Sequence, residues 1–129
     1  MSRPEPRWLG RLAIDEAHFR SIRGHGGAHG VRDDNPLEAA LARPRNRWLY
    51  EPDARLADVA AAYAFGIARD HPYVDGNKRV ALVALAASLD LNGMALTATS
   101  AEAVSTMLAV ADGAITEQEL AAWVEEHSR

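Results

Sequence analysis

No cysteine occurs in the chain. That excludes disulfide staples, thiolate metal sites and a cysteine nucleophile, and it points to a reducing cytoplasm. Long apolar runs are missing too: the longest, 80–87, falls far short of the ~20 residues a membrane helix needs. The first ten residues, MSRPEPRWLG, lack the apolar stretch of a secretory signal. The expectation is a soluble cytoplasmic protein with no membrane partner. Cations are scarce in one half only: 65–129 carries 4 Lys and Arg against 9 Asp and Glu, while 1–64 carries 10 against 9. With a pI near 5.7, the chain lacks the basic surface that nonspecific DNA or RNA binding requires, so direct nucleic-acid contact is not expected. β-Branched residues are few, 8 Val, 4 Ile and 4 Thr against 26 Ala. Alanine loses no side-chain entropy in a helix, so the expected fold is mostly α.

What is present suits one folded unit. The 129 residues, 48% apolar and 25% charged, predict a single domain spanning 1–129. A first helix is expected over about 15–23, broken by GHGGAHG (24–30), where four of seven residues are glycine. Asp34-Asn35-Pro36 opens a second helix, and Pro44 marks its end. RNRWLYEPD (45–53) has no helical period and reads as an irregular or short extended flap. A third helix over about 54–70 carries Leu56, Val59, Ala60, Tyr63 and Ile67 on one stripe. A fourth, 77–91, stops at Asn92-Gly93; its apolar segment VALVALAA suggests the centre of the bundle. After an extended stretch at 94–99, Ser100 caps a fifth helix with Val104, Met107, Leu108 and Ala111 on one face. Thr116 and Glu119 form a capping box for a sixth, which buries Leu120, Trp123 and Val124. The fold class is therefore an all-α bundle of about six helices with a short extended flap.

The chemistry concentrates in HPYVDGNKR (71–79). Three of the four cations in 65–129, namely Arg69, Lys78 and Arg79, fall within eleven residues. Lys78 and Arg79 occupy the first turn of a helix, the positive end of its dipole, where a cation costs up to about 1 kcal/mol. A bound anion reverses that sign. Free N–H groups at the same terminus, with Gly76 permitting close approach, make a phosphate cradle. Asp75 suits a helix cap or a ligand for Mg²⁺, which takes one or two carboxylates plus phosphate oxygens. His71 titrates near neutrality and is a candidate general base. Together these read as transfer from a nucleotide to a hydroxyl. The bland reading of the same residues is a loop whose Asp75 caps a helix while its cations face solvent.

The stretch resembles the signature of the Fic/Doc family, in which a histidine and, two residues on, an aromatic precede an acidic residue and then Asn and Arg. GGAHGVRD (26–33), LEAALARP (37–44), IARDHPYVDGNKR (67–79), LNG (91–93) and EL..W (119–123) resemble the Doc branch in order and spacing. The resemblance implies a small α bundle that uses ATP and Mg²⁺ to modify a protein hydroxyl. His71 would take the hydroxyl proton and Asp75 would hold the metal. Gly76, Asn77, Lys78 and Arg79 would bind the phosphates, and Tyr73, where the family usually has Phe, would anchor the loop. Adenylyltransferases of the family usually have Gly at the position of Lys78 and a second Arg at that of Leu82. The Lys-containing, single-Arg form is similar to Doc toxins, kinases that phosphorylate a threonine of elongation factor Tu and block translation. An adenylyltransferase on the same site is the alternative, and a noncatalytic binding module or co-regulator is another. No Ser or Thr here has Glu four residues on, so the family's internal inhibitory pattern is absent, and the resemblance implies inhibition by a separate antitoxin.

Other residues fit blander roles. His25 and His29 lie four apart in a glycine-rich turn and make a poor metal site without a third ligand. His18 and His127 read as surface or packing residues, and Trp123 as core. Trp48 and Tyr50, with Arg45 and Arg47, divide between a target-aligning flap and simple packing.

Overall fold

The structure, a computed structural model, describes residues 3–129; Met1 and Ser2 of the segment read as lacking a signal lie outside them. Six helices are present among the described residues: α1 Arg11–His25, α2 Asp34–Tyr50, α3 Leu56–Asp70, α4 Asn77–Leu91, α5 Ser100–Ala111 and α6 Glu117–Glu126. They form no sheet; the β contacts among the described residues are isolated bridges, Val31 with Tyr73 and Leu96 with Ser128. Among the described residues no helix is long and apolar enough to cross a membrane.

Helix α3 is the axis, packed against α2, α4, α5 and α6, with α1 laid on α4. Every residue from 57 to 64 is buried. The expectation that α4 holds the centre is corrected: Val83 is 42% exposed, and Leu82, Ala86 and Ala87 are half-buried. Small side chains decide this, because alanines and Gly66 let neighbouring helices approach α3 from all sides. A Cβ on Gly66 would lie 3.1 Å from both Cα and Cβ of Ala40 on α2. Such contact distances leave no space for a larger residue at that crossing.

Local signals place several boundaries. Asp33 caps α2 by accepting the Asn35 N–H at 3.0 Å. Thr99 with Glu102 and Thr116 with Glu119 form reciprocal capping boxes at α5 and α6, so the cap of α5 is Thr99 rather than Ser100. On α5 the buried residues are Ala103, Met107 and Val110, while Val104 and Leu108 are about half exposed; the helix is rotated by roughly one residue from the expected face. Of the stretch 94–99 expected to be extended, Ala95 to Thr97 pair with the C-terminal residues around a bridge of Leu96 with Ser128, and the chain bends at Ala98.

The extended flap at 45–53 is also corrected. Helix α2 runs through Pro44 to Tyr50, because long-range ion pairs hold its second half. Arg43 and Arg47 both pair with Glu117, and Arg47 reaches Asp58 at 3.3 Å and Glu51 at 3.0 Å. Arg3 closes the end of the helix, donating to the carbonyls of Trp48, Ala54 and Glu51 while its guanidinium lies 3.4 Å above the Trp48 ring. Trp48 and Arg47 are thus scaffold.

Arg47 and its partners Asp58 and Glu117 are largely shielded from water. Arg47→Ala leaves Asp58 and Glu117 only the more exposed Arg55 and Arg43 as partners and is expected to cost about 3 kcal/mol in urea unfolding. Arg20→Ala, which removes an exposed pair with Glu16, is expected to cost less than about 0.5 kcal/mol.

Candidate functional site

Helix α3 ends where Pro72 bars an αR conformation at the preceding residue. His71 turns left-handed there, with φ 49° and ψ 58°, the one non-glycine residue of positive φ among those described. Arg32 holds that turn, its Nε donating to the His71 carbonyl at 2.7 Å and its Nη2 to that of Asp70 at 2.9 Å. The Arg32 backbone N–H donates to the Pro72 carbonyl, and the Val74 N–H to that of Gly30. The edge of the loop is thereby sewn to residues 30–33.

The inward face of the loop is built on Tyr73. Its ring is buried and stacks on His18 of α1 with centroids 3.9 Å apart and planes 9° from parallel. Its hydroxyl donates to Asp15 Oδ1 at 2.7 Å. Burial, with the Asp15 hydrogen bond and charge adding to it, raises the phenol far above its ordinary pKa. Asn77, itself buried, clips the same residue by its backbone, accepting from the Tyr73 N–H at 2.9 Å and donating to its carbonyl at 3.0 Å. The Asn77 side chain is therefore committed to the loop, and what it offers an anion is its main-chain N–H.

The outward face gathers the chemistry. His71, Val74, Asp75, Gly76, Asn77, Lys78 and Arg79 line one open cavity of about 510 Å³ at the start of α4. Gly76 is the N-cap, left-handed with φ 78°, and the first turn contains no acidic residue, so the two cations stand unopposed on the dipole. Arg79 is steadied by donating to the Gly26 carbonyl at 3.1 Å. Asp75 does not cap α4; its Oδ1 accepts the Gly76 N–H at 2.8 Å and its Oδ2 lies 3.4 Å from the Ala28 N–H. Gly27 makes room for it, since a Cβ there would sit 2.7 Å from Oδ2. Leu82 lines an adjoining apolar cleft of about 180 Å³ with Val104, Met107 and Leu108, which Lys78 and Arg79 border as well.

No cluster of three or more His, Cys, Asp or Glu able to hold a metal exists among the described residues, and His25 with His29 forms no exception; His29 packs against Phe19. One exposed carboxylate beside two cations and free helix amides fits Mg²⁺ arriving with phosphate, not a cage built by protein alone. Sequence reasoning missed Asp15, His18 and Arg32, which act on the loop from 38 or more positions away; His18 is buried packing rather than surface.

The raised phenols have a consequence in alkali. A neutral group whose folded pKa exceeds its ordinary value of 10.0 stabilises fully below that pH, and the contribution is lost as pH rises past it. Tyr73→Phe is expected to lower stability at neutral pH by about 1–2 kcal/mol. It should also flatten the decline above pH 10, leaving the share of Tyr63, which burial raises likewise. Urea melts at pH 7 to 11 measure both effects.

Comparison with known proteins finds relatives by sequence. A protein from Mycolicibacterium smegmatis named "Toxin Doc" is 48% identical over 75 residues, 57% of this chain and 57% of its own length. One from Escherichia phage P1 named "Protein kinase doc" is 36% identical over 77 residues, 60% of this chain and 61% of that one. The matched stretch covers less than two thirds of each relative. The model of the Fic/DOC family matches residues 8–89, a span that holds α1 to α3, the whole loop and all but the last two residues of α4 but stops short of the LNG and EL..W segments. By that match, the chain belongs to the Fic/Doc family.

Proposed function

We propose that this chain is the toxin of a toxin–antitoxin pair, acting in the cytoplasm, which transfers the γ-phosphate of ATP to a hydroxyl of a protein, a threonine of elongation factor Tu. The observation that carries the reading is the cavity at the start of α4. It collects His71, Asp75, Lys78 and Arg79 around amides and a dipole that favour an anion.

His71 reaches the cavity from a turn that fixes its backbone and leaves its ring exposed, the arrangement a general base needs to meet an incoming hydroxyl. Lys78, Arg79 and the N–H groups of the first turn hold the phosphates and offset charge that grows on the transferred group. Gly76 allows the phosphate to approach the main chain. Asp75 would hold Mg²⁺, which supplies further charge neutralisation when bound with the nucleotide. Lys78 adds a cation where the adenylyltransferases have Gly. Leu82, in its apolar cleft, offers no second phosphate contact where they have Arg. Both differences, with the "kinase" name of one relative, favour γ-phosphoryl over adenylyl transfer. An antitoxin supplied as a separate chain provides the inhibition, a reading supported by the lack of the family's inhibitory pattern in these 129 residues.

The test is to incubate the protein with elongation factor Tu and ATP labelled at the α or the γ phosphorus. Only γ label should transfer, adding the mass of one phosphate. Transfer of α label would replace the kinase by an adenylyltransferase, and no transfer from either position to any lysate protein would leave a noncatalytic module. His71→Ala and Asp75→Ala should stay folded, lose about 10²- to 10⁴-fold in rate, and relieve the growth arrest caused by expressing the toxin alone.

A further inference from the structure

His18 lies on α1, outside the signature and outside the cavity lining. It is 4% exposed, and its Nε2 sits 2.8 Å from the Asp75 main-chain carbonyl. A carbonyl only accepts, so Nε2 carries the proton and donates. The Asp75–Gly76 peptide joins the acidic residue to the N-cap of α4. It is trans, so its carbonyl and its N–H point in opposite directions. With the carbonyl drawn inward to α1, the N–H faces outward, where the cavity-lining Asp75 carboxylate takes it at 2.8 Å.

Sterics do not fix that orientation. The residue after the peptide is glycine, which adopts φ of either sign at little cost, so the plane can turn over unless something holds it. Turned over, it would present a carbonyl oxygen to an anion in place of a donor. The His18 ring is itself immobilised by its stack on Tyr73, so the hydrogen bond comes from a fixed point.

We infer that His18 is a positioning residue: its Nε2–H holds the Asp75–Gly76 peptide with the Gly76 N–H on the cavity side, keeping an anion donor and the Asp75 carboxylate in place. The consequence for ligand binding rests on the nucleotide reading above; the orientation of the peptide does not.

Three proteins separate the parts: the parent, His18→Phe, which keeps a stacking ring without a donor, and His18→Gln, which keeps a donor at similar reach without the ring. In the parent, nitrogen-15 NMR should show His18 as the Nε2–H tautomer; the Nδ1–H tautomer overturns the inference even if neither variant folds. The Gly76 amide resonance and its hydrogen exchange should change in His18→Phe and stay near the parent in His18→Gln. An unchanged Gly76 amide in folded His18→Phe, or an equal change in both variants, overturns it. With Mg²⁺ and a nonhydrolysable ATP analogue as probe, His18→Phe should weaken binding by about 10- to 100-fold, as loss of a supporting hydrogen bond does, and His18→Gln should recover most of it. Equal affinity of parent and His18→Phe overturns the ligand part. A parent that does not bind the probe defeats the nucleotide reading alone, and the Gly76 amide still decides the role of His18.

Discussion

The structure turns on the burial of Tyr73. A six-residue connection between two helices has too little surface of its own to hold a shape, and here one ring supplies the anchor. It is stacked on His18, tied by its hydroxyl to Asp15 and clipped at its backbone by Asn77. Because both polar groups of the Tyr73 main chain and the phenol are satisfied, burying them carries no unpaired-donor penalty. With Tyr73 fixed, the residues on either side have no choice of face. Pro72 and Asn77 go inward with it, whereas His71, Val74, Asp75 and Lys78 are left on the outside.

The charge arrangement at the start of α4 depends on that division. Two cations on the positive end of a helix dipole destabilise the protein slightly when nothing is bound. At α3 the Asp58 carboxylate accepts the Arg55 N–H, and the capping boxes of α5 and α6 supply Glu102 and Glu119, so each of these helices has an acidic residue at its third position. Helix α1 opens on Arg11 without an acid in its first turn, but Arg11 is paired with Asp15, Asp34 and Glu38. At α4, Lys78 and Arg79 stand on the positive end with no carboxylate ion-paired to them among the described residues, and there a cavity opens beside the terminus. A first turn that carries cations without a compensating pair marks the place where folding yields to function.

Legibility from sequence followed the range of the forces involved. Helix α4 was readable to the residue because Gly76 and Asn92-Gly93 punctuate it locally, and α6 because Thr116 and Glu119 cap it three residues apart. The candidate site residues could be grouped because they are neighbours in the chain, and they line one cavity. The second half of α2 was not: it persists past Pro44 through pairs with Glu117, 70 or more positions distant, and a proline's local signal carries no news of them. On α5 a helical period fits two adjacent faces, and only packing chose Ala103, Met107 and Val110. The central helix was misread for a related reason. Hydropathy measures what a residue prefers, and the more apolar α4 looked central, but the small residues of α3 determine how many neighbours can come close.

Holding the main chain from behind while freeing the side chains in front is a form of preorganisation. Transferring a charged group is accelerated by donors and cations already in place, because none then has to be reoriented as charge develops. Here Arg32 sets the His71 turn and His18 and Asp15 set Tyr73, and none of these contacts uses a side-chain polar atom of a residue lining the cavity. Two donors are already engaged: one Nη of Arg79, which Gly26 receives and which leaves the rest of the guanidinium free, and the Gly76 N–H, which the Asp75 carboxylate now accepts. A bound phosphate would compete for that donor and release an oxygen lone pair on Asp75. On the nucleotide reading proposed above, anion and metal would then be coupled at this loop through a single hydrogen bond, each making room for the other.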